Sequence, residues 1–427
     1  MTGSRRILIT GLSTLWGGRL AQMLERDERI EALVGIDTTD PRRALDRTEF
    51  VRVGSDEALL RRIIRAARID TIVETRLCAD ALGSAAGRAL DRELAAFAVT
   101  LSAAGGLGTP VRRLVVKSSA QVYGSGRDDP AFFTEEMSRT GSPHGPVEQA
   151  LVTAELAIAA FSRDNPQVGI TVLRCAPAIG ADIDSPLLGL LGLPILPAMA
   201  GFDPRWQFIH EDDVLGALRH VVTHALPGIY NAAADGVLAL SEVAALLGRP
   251  LVPLLPPWGS VSAATALRRL GLAVPVELLR DLRHGRGLDN RRLKAAGFAY
   301  AFTSREAVLE LRAHQRLRPL LGAATDPYRY ERAVEEFLRW SPNVQRLGAG
   351  DSDAGGPARR HGPPGPHGPG YGELTPDELL ELIPSLESEA IRRLRDHEAA
   401  ADGRPEVLEA LDHQLAARGA VDGGGSD

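Results

Sequence analysis

Cysteine and lysine occur only twice each in this 427-residue chain, as Cys78, Cys175, Lys117 and Lys294. Two cysteines cannot make the disulfide framework of a small secreted scaffold, and an apolar strand begins almost at once where a basic-then-apolar signal segment would stand. A reducing cytoplasm is the expected setting. Arginine carries nearly all the positive charge, and a formal net charge of -6 gives no reason to expect nucleic acid or an anionic membrane as a partner. Long hydrophobic runs are missing too. One of the longest uncharged stretches, SPLLGLLGLPILPAMAGF at 185–202, is broken by Pro186, Pro194, Pro197 and its glycines, so no membrane span is expected there.

What is present is a core: 44% of the residues are apolar, enough to exclude disorder throughout. Short apolar runs at 6–10, 32–37, 50–53, 71–74, 113–118 and 170–175 read as strands. Between them lie helical patterns such as 56–67, where Leu59, Leu60, Ile63 and Ile64 recur at helical spacing. Repeated strand and helix imply an α/β fold, a parallel sheet covered on both faces. Beyond about residue 180 the alternation fades into loops punctuated by proline and glycine, with helices expected at 241–247, 305–318 and 328–340. Residues 348–372 have almost no apolar side chains to offset the entropy of ordering and read as a flexible linker. After it, Thr375-Pro376-Asp377-Glu378 forms a capping box ahead of Leu379, Leu380, Leu382 and Ile383, and further helices are expected at 386–401 and 405–417. The domains so read are 1–180 with parts of the later chain, a lobe at 181–346, a linker at 347–372 and a helical module at 373–420.

The first strand runs into ILITGLSTLWGG, residues 7–18. A strand that ends in glycine and opens a helix offers unpaired N–H groups and the positive end of the helix dipole to a pyrophosphate. Asp37 ends the second strand twenty residues after Gly17, where a carboxylate can accept both ribose hydroxyls and repel a 2′-phosphate. NAD is therefore expected over NADP, with Gly11, Thr14, Leu15, Gly17 and Asp37 as the binding residues. Two features weigh against it: Thr14 adds bulk where another glycine is expected, and Arg42 and Arg43 lie within reach of a 2′-phosphate. The plain alternative is that Gly11 and Gly17 only permit a tight turn.

RLVVKSSAQVYG at 113–124 resembles the SSxxxYG stretch of the extended short-chain dehydrogenases/reductases, the NAD-dependent epimerase/dehydratase group that includes UDP-glucose 4-epimerase. Thr10-Gly11, Asp37, Asp70-Thr71-Ile72-Val73, Val172-Leu173-Arg174 with Gly180, Phe208-Ile209-His210 and Gly228-Ile229-Tyr230-Asn231 agree, so the resemblance covers about residues 5 to 320. It implies a Rossmann-type doubly wound sheet binding NAD and a smaller C-terminal substrate lobe holding a nucleotide sugar, to which the linker and helix signals beyond it add a tethered all-α tail. It also implies that Ser119 positions a substrate hydroxyl while a tyrosine removes its proton. In that family a lysine one helical turn beyond the tyrosine lowers its pKa and holds the nicotinamide ribose.

No tyrosine here, at 123, 230, 300, 328, 330 or 371, is followed four residues later by lysine. Matching from Ser142-Pro143 puts His144 and Glu148 in the two roles; matching backward from Glu155 puts Val147 and Leu151 there. Glu74-Thr75-Arg76-Leu77 replaces a His-Leu-Ala-Ala-like run, so Arg76 is expected to intrude near the nicotinamide. Gly54-Ser55 replaces an adenine-contacting aspartate, Glu93 falls near a structural asparagine, and Arg205 lies one position early for a diphosphate-binding arginine.

An imidazole at His144 can serve as substitute base with Glu148 to orient it, the alternative being an exposed loop histidine. Cys78 and Cys175 read as small buried hydrophobes. His210, Asp212 and Asp213 read as packing and capping residues rather than as a metal site. The loop 185–202 offers no charge to a diphosphate; it suits an apolar ligand, a second subunit of a homodimer, or ordinary packing. The acids of the tail outnumber its arginines, which suits a protein partner or an inert cap rather than a phosphate backbone. Two functions follow: a weakly active or non-catalytic NAD-binding or sensor protein, or an active epimerase, dehydratase or reductase that uses Ser119 with a substitute base.

Overall fold

The computed structural model describes residues 5–77, 86–255, 276–317 and parts of 391–422. Apolar runs and amphipathic helices alternate as their periodicity requires. They give β1 (Arg6–Thr10), α1 (Leu15–Glu25), β2 (Ala32–Asp37), β3 (Thr48–Arg52), α2 (Glu57–Ala66), β4 (Thr71–Glu74), α3 (Ala86–Ala104) and β5 (Arg113–Ser119). Asp56 caps α2 by accepting from the Leu59 amide, and Leu60 and Ile64, one turn apart, bury its inner face. A single turn of 3-10 helix follows β5, then β6 (Phe132–Phe133), α4 (Pro146–Asp164) and β7 (Gly169–Cys175).

β12 (Gly228–Ala232) returns from much later in the chain to complete a seven-stranded sheet in the order β12-β7-β5-β4-β1-β2-β3, parallel throughout. Ile7, Leu8 and Ile9 of β1 are all fully buried, as a strand covered on both faces must be. Leu20 and Leu24 of α1 pack with Val214 and Leu218 of α6 (Glu211–His224) on one face. Phe97 of α3, Ile158 and Phe161 of α4 and the inner side of α2 cover the other. The chain runs outward from β1 through β2 to β3, then crosses to β4 on the other side of β1. That reversal opens a crevice at the strands' carboxyl ends, between β1 and β4.

Although Ile209, Leu288 and Leu293 pack in the first core, the remaining elements of the first compact unit, residues 1–323, mostly build a second. They are β8 (Ala178–Ile179), α5 (Pro186–Leu191), β9 (Leu196–Met199), β10 (Arg205–Trp206), β11 (Ile209–His210), β13 (Leu238–Ala239), α7 (Leu240–Leu247), β14 (Leu251–Leu255), α8 (Val276–Asp281), β15 (Gly285–Leu288), α9 (Arg291–Ala295) and α10 (Ser304–Leu317). Leu190, Leu196, Met199, Trp206, Phe208, Val243 and Val308 meet in that core. Much of the stretch 185–202 packs into that core: Ser185 caps α5, Leu190 and Leu191 are buried, and β9 pairs with β14, while Ile195 is exposed.

The second unit, 324–427, is described in α11 (Pro405–Asp422) and at helical residues 391, 392, 395, 396 and 399. Ile391, Val407 and Leu411 are buried, and Arg395 donates to Asp412 at 2.5 Å. The expected helix at 328–340, the linker, the capping box at Thr375 and Cys78 lie outside the described residues. No helix among the described residues is long and apolar enough to cross a membrane.

Candidate cofactor crevice and active site

At the end of β1 the backbone of Gly11 turns through a φ of +74°, open to glycine at little cost. Thr14 then caps α1: its hydroxyl accepts from the Gly17 amide at 3.1 Å and donates to the Gly11 carbonyl at 2.7 Å. A threonine can stand there because it makes the cap from its own side chain. Gly17 has no such latitude, since a Cβ would lie 2.1 Å from the Gly11 carbonyl oxygen. The amides of Leu15 and Trp16 open the helix, and no hydrogen bond among the described residues uses either.

Asp37 is bound into the same turn. Its Oδ2 accepts from the Ser13 amide at 2.9 Å and hydroxyl at 2.6 Å, and its Oδ1 accepts from the Thr38 amide. A carboxylate offers about four acceptor positions and three are in use, so Oδ1 retains capacity for one further donor such as a ribose hydroxyl. Gly11, Thr14, Leu15, Gly17 and Asp37 are therefore gathered around one turn. Arg42 is exposed, and Arg43 donates to Asp182 at 2.8 Å.

The β1/β4 crevice holds buried charge. Arg76 lies against the β1–α1 turn, its Cγ 2.6 Å from where a Gly11 Cβ would sit. The guanidinium turns back to Glu74, donating to both carboxylate oxygens at 3.0 and 2.7 Å, and to the Thr100 hydroxyl at 2.7 Å. Glu74 is fully buried and makes that pairing obligatory. Glu93 of α3 faces the same cluster; burial, then the neighbouring Glu74, push its carboxyl up to about 7. Its position in the sequence marked it only as a departure from an asparagine.

The corner between β5 and α4 is built differently. Ser119 ends β5, its hydroxyl accepting from the Gln121 amide at 3.3 Å. Two residues earlier on the same strand face, Lys117 is fully buried with its ammonium 4.9 Å over the Trp16 ring. Sequence reading assigned Lys117 nothing; a lysine inside an otherwise apolar strand was the available signal. Ser118 points the other way and donates to Glu155 at 2.9 Å, and Glu155 holds Arg174 of β7 through two bonds at 3.1 and 2.5 Å.

Val147, Leu151 and Glu155 fall along one face of α4, four residues apart. Val147 and Leu151 are each 3% exposed and belong to the core cluster that includes Trp16 and Cys175. His144 lies before the helix, whose N-cap is Gly145, so it cannot share a helical face with Glu148. The His144 side chain is exposed, and it is its backbone amide that donates to Glu148, at 2.9 Å. The buried Glu148 carboxylate also takes Arg139 at 2.6 Å. Ser119 and His144 share no hydrogen bond among the described residues.

The tyrosines described are spoken for. Tyr123 donates to Asn231 at 2.8 Å, Tyr230 donates to the Pro227 carbonyl, and Tyr300 accepts from the Ala233 amide. Burial raises the pKa of both Tyr123 and Tyr300. Elsewhere, His210 caps α6 and Asp213 accepts from the Ala301 and Phe302 amides, while Arg205 is exposed on β10. No group of three His, Cys, Asp or Glu among the described residues could hold a metal ion.

The sequence profile of the NAD dependent epimerase/dehydratase family matches residues 7–233. Uncharacterized proteins of Mycobacterium bovis and Mycobacterium tuberculosis are 32% identical over 345 residues, covering 78% of this chain and 90% of theirs. A dTDP-glucose 4,6-dehydratase from Bacillus anthracis, solved in complex with NAD, aligns with a TM-score of 0.54 at 16% identity over 73% of this chain and 97% of its own. A UDP-glucose 4-epimerase from Thermotoga maritima, solved with UDP-glucose, gives 0.53 at 16% identity over 73% and 98%. At such identities these two structures speak to the fold alone.

Proposed function

Because the chain belongs to the NAD-dependent epimerase/dehydratase family, we propose that it binds NAD at the β1–α1 turn and serves as an NAD-binding or sensing protein with little or no turnover. The Leu15 and Trp16 amides, at the positive end of α1, suit the diphosphate. Asp37 suits the adenosine ribose diol and disfavours a 2′-phosphate. Arg43, engaged by Asp182, is not directed to such a phosphate, which supports NAD over NADP.

One observation carries the low-turnover half: α4 presents Val147 and Leu151 to the core along the face it shares with Glu155, where a phenol and an ammonium one turn apart would be needed. NAD supplies a nicotinamide ring that accepts and returns a hydride. The substrate hydroxyl must lose a proton in the same event, and that assistance is worth about 10²–10⁴-fold. The engaged tyrosines are poorly suited to provide it. A nucleotide sugar or a more apolar small molecule is the ligand class this reading admits for the substrate lobe, with the helical second unit docking a protein partner.

The test is to purify the protein, look for bound NAD by absorbance and mass spectrometry, and assay a nucleotide-sugar panel including UDP-glucose. Retained NAD without epimerisation or cofactor reduction is expected; rapid turnover overturns the reading. A second reading, an enzyme using Ser119 and His144, draws support from the exposed His144 side chain and the position of Ser119 at the strand end. Turnover abolished by His144→Ala would favour it.

A further inference from the structure

Glu93 Oε2 is buried and has no hydrogen-bond partner. A carboxylate in that condition is costly unless it holds a proton or meets a donor. Four charged groups act on it: Glu74 from the end of β4, Arg76 from the loop after β4, Arg92 from its own helix and Asp37 from the end of β2. Neither guanidinium offers much relief. Arg76 already spans both oxygens of Glu74, and Arg92 is exposed to water. With a carboxyl held at about 7, Glu93 is close to half protonated near neutrality.

The crevice joins this group to the phosphate turn through one side chain. The stem of Arg76 lies on Gly11, and its head lies with Glu74 on the side that Glu93 faces. A diphosphate at the start of α1 brings negative charge into a crevice that already holds Asp37, Glu74 and Glu93 against Arg76. Asp37 is bonded to the turn and Glu74 to Arg76. Among the described residues Glu93 Oε2 has no such bond, so Glu93 is the group that yields.

On the reading that this crevice holds NAD, we infer that binding is coupled to protonation of Glu93: as the diphosphate enters, the buried carboxyl takes a proton from solvent at Oε2, and affinity falls as pH rises. The sign follows from linkage. A ligand that makes Glu93 hold its proton more tightly is itself held more tightly by the protonated protein. Below about pH 6 the proton is already present and none is taken up; through neutrality uptake appears and affinity declines.

Calorimetry with NAD and with ADP-ribose, in two buffers of different ionisation enthalpy, reads the proton directly. Wild type is expected to take up about half a proton per ligand at pH 7, and its Kd to weaken about 3- to 10-fold from pH 6 to 8.5. Glu93→Gln is expected to take up none and to show a flat Kd over that range, whereas Glu93→Asp retains the uptake. Circular dichroism confirms that each variant is folded. Binding without uptake in wild type, or undiminished uptake in Glu93→Gln, overturns the coupling and leaves NAD binding intact. If neither ligand binds, the reading of the crevice fails and the coupling goes with it.

Discussion

The β1–α1 turn and the β5–α4 corner both bring the end of an apolar strand beside a helix, yet they dispose of their polar groups in opposite ways. At the first, two helix amides have no acceptor among the described residues and Asp37 keeps room for about one more donor. At the second, Ser118, Glu155 and Arg174 satisfy one another, Glu148 Oε2 is tied to Arg139 while its Oε1 has no partner among the described residues, and the helix face beside them is apolar. Polar groups left open suit a ligand; polar groups closed on each other suit a folded core. The contrast teaches that binding and proton transfer can part company within one crevice.

The largest effect that would sharpen this contrast is expected from Leu151→Ala. Leu151 is buried among core side chains, and its truncation should cost about 3 kcal/mol in denaturant unfolding while leaving NAD affinity within about twofold. Loss of NAD binding in a folded Leu151→Ala protein would break the contrast by making α4 part of the cofactor site. Gly17→Ala ranks next, with the opposite signature. The new methyl would press on the Gly11 carbonyl, a backbone atom that cannot swing aside, so about 2 kcal/mol of stability and at least about tenfold in NAD affinity should be lost together. Unchanged calorimetric affinity would dissociate the turn from the ligand.

Much of the first region could be read directly from the sequence, because local chemistry determines it. The strands at 6–10, 32–37 and 71–74 fall where their apolar runs end, and Asp37 comes to the turn because parallel pairing aligns β2 with β1. β3 starts at Thr48 rather than at residue 50, since pairing with Leu33 extends it beyond its apolar run. The second region was less legible. Two matchings of α4 are open from the sequence, which does not show that His144 precedes the helix or that Glu155 meets Arg174, a contact between residues 19 apart. The Arg76–Glu74–Glu93 cluster was not legible for a similar reason: which way a long side chain turns depends on partners such as Thr100 that periodicity does not reveal.

Glu93→Gln gives a smaller effect that depends on pH. The unfolded chain releases this proton near the ordinary value of 4.5, whereas the folded protein holds it to about 7. Between those values the folded state binds more protons, so stability falls as pH rises through the window and the penalty is complete above it. Glutamine has no proton to lose. The variant should match wild type at pH 4 and exceed it by about 1 kcal/mol at pH 8, water screening of a half-buried site having reduced the full linkage value. Equal stabilities at pH 8 would mean that Glu93 ionises without penalty, and the crevice would be less hostile to charge than its geometry indicates.

His144→Ala is expected to do least, and that makes it the sharper probe of the corner. The only bond His144 brings to Glu148 comes from its backbone amide, which alanine also has, so unfolding free energy should move by less than about 0.5 kcal/mol and NAD affinity should not move. Glu148 is the proper control, because its buried carboxylate meets both that amide and Arg139. Removing it leaves a guanidinium without its partner and should destabilise the corner far more than losing the imidazole. If a turnover exists and vanishes in His144→Ala while the fold and NAD affinity hold, proton transfer has moved from the helix to the loop that precedes it. The corner would then be closed at α4 but chemically open one residue before its N-cap.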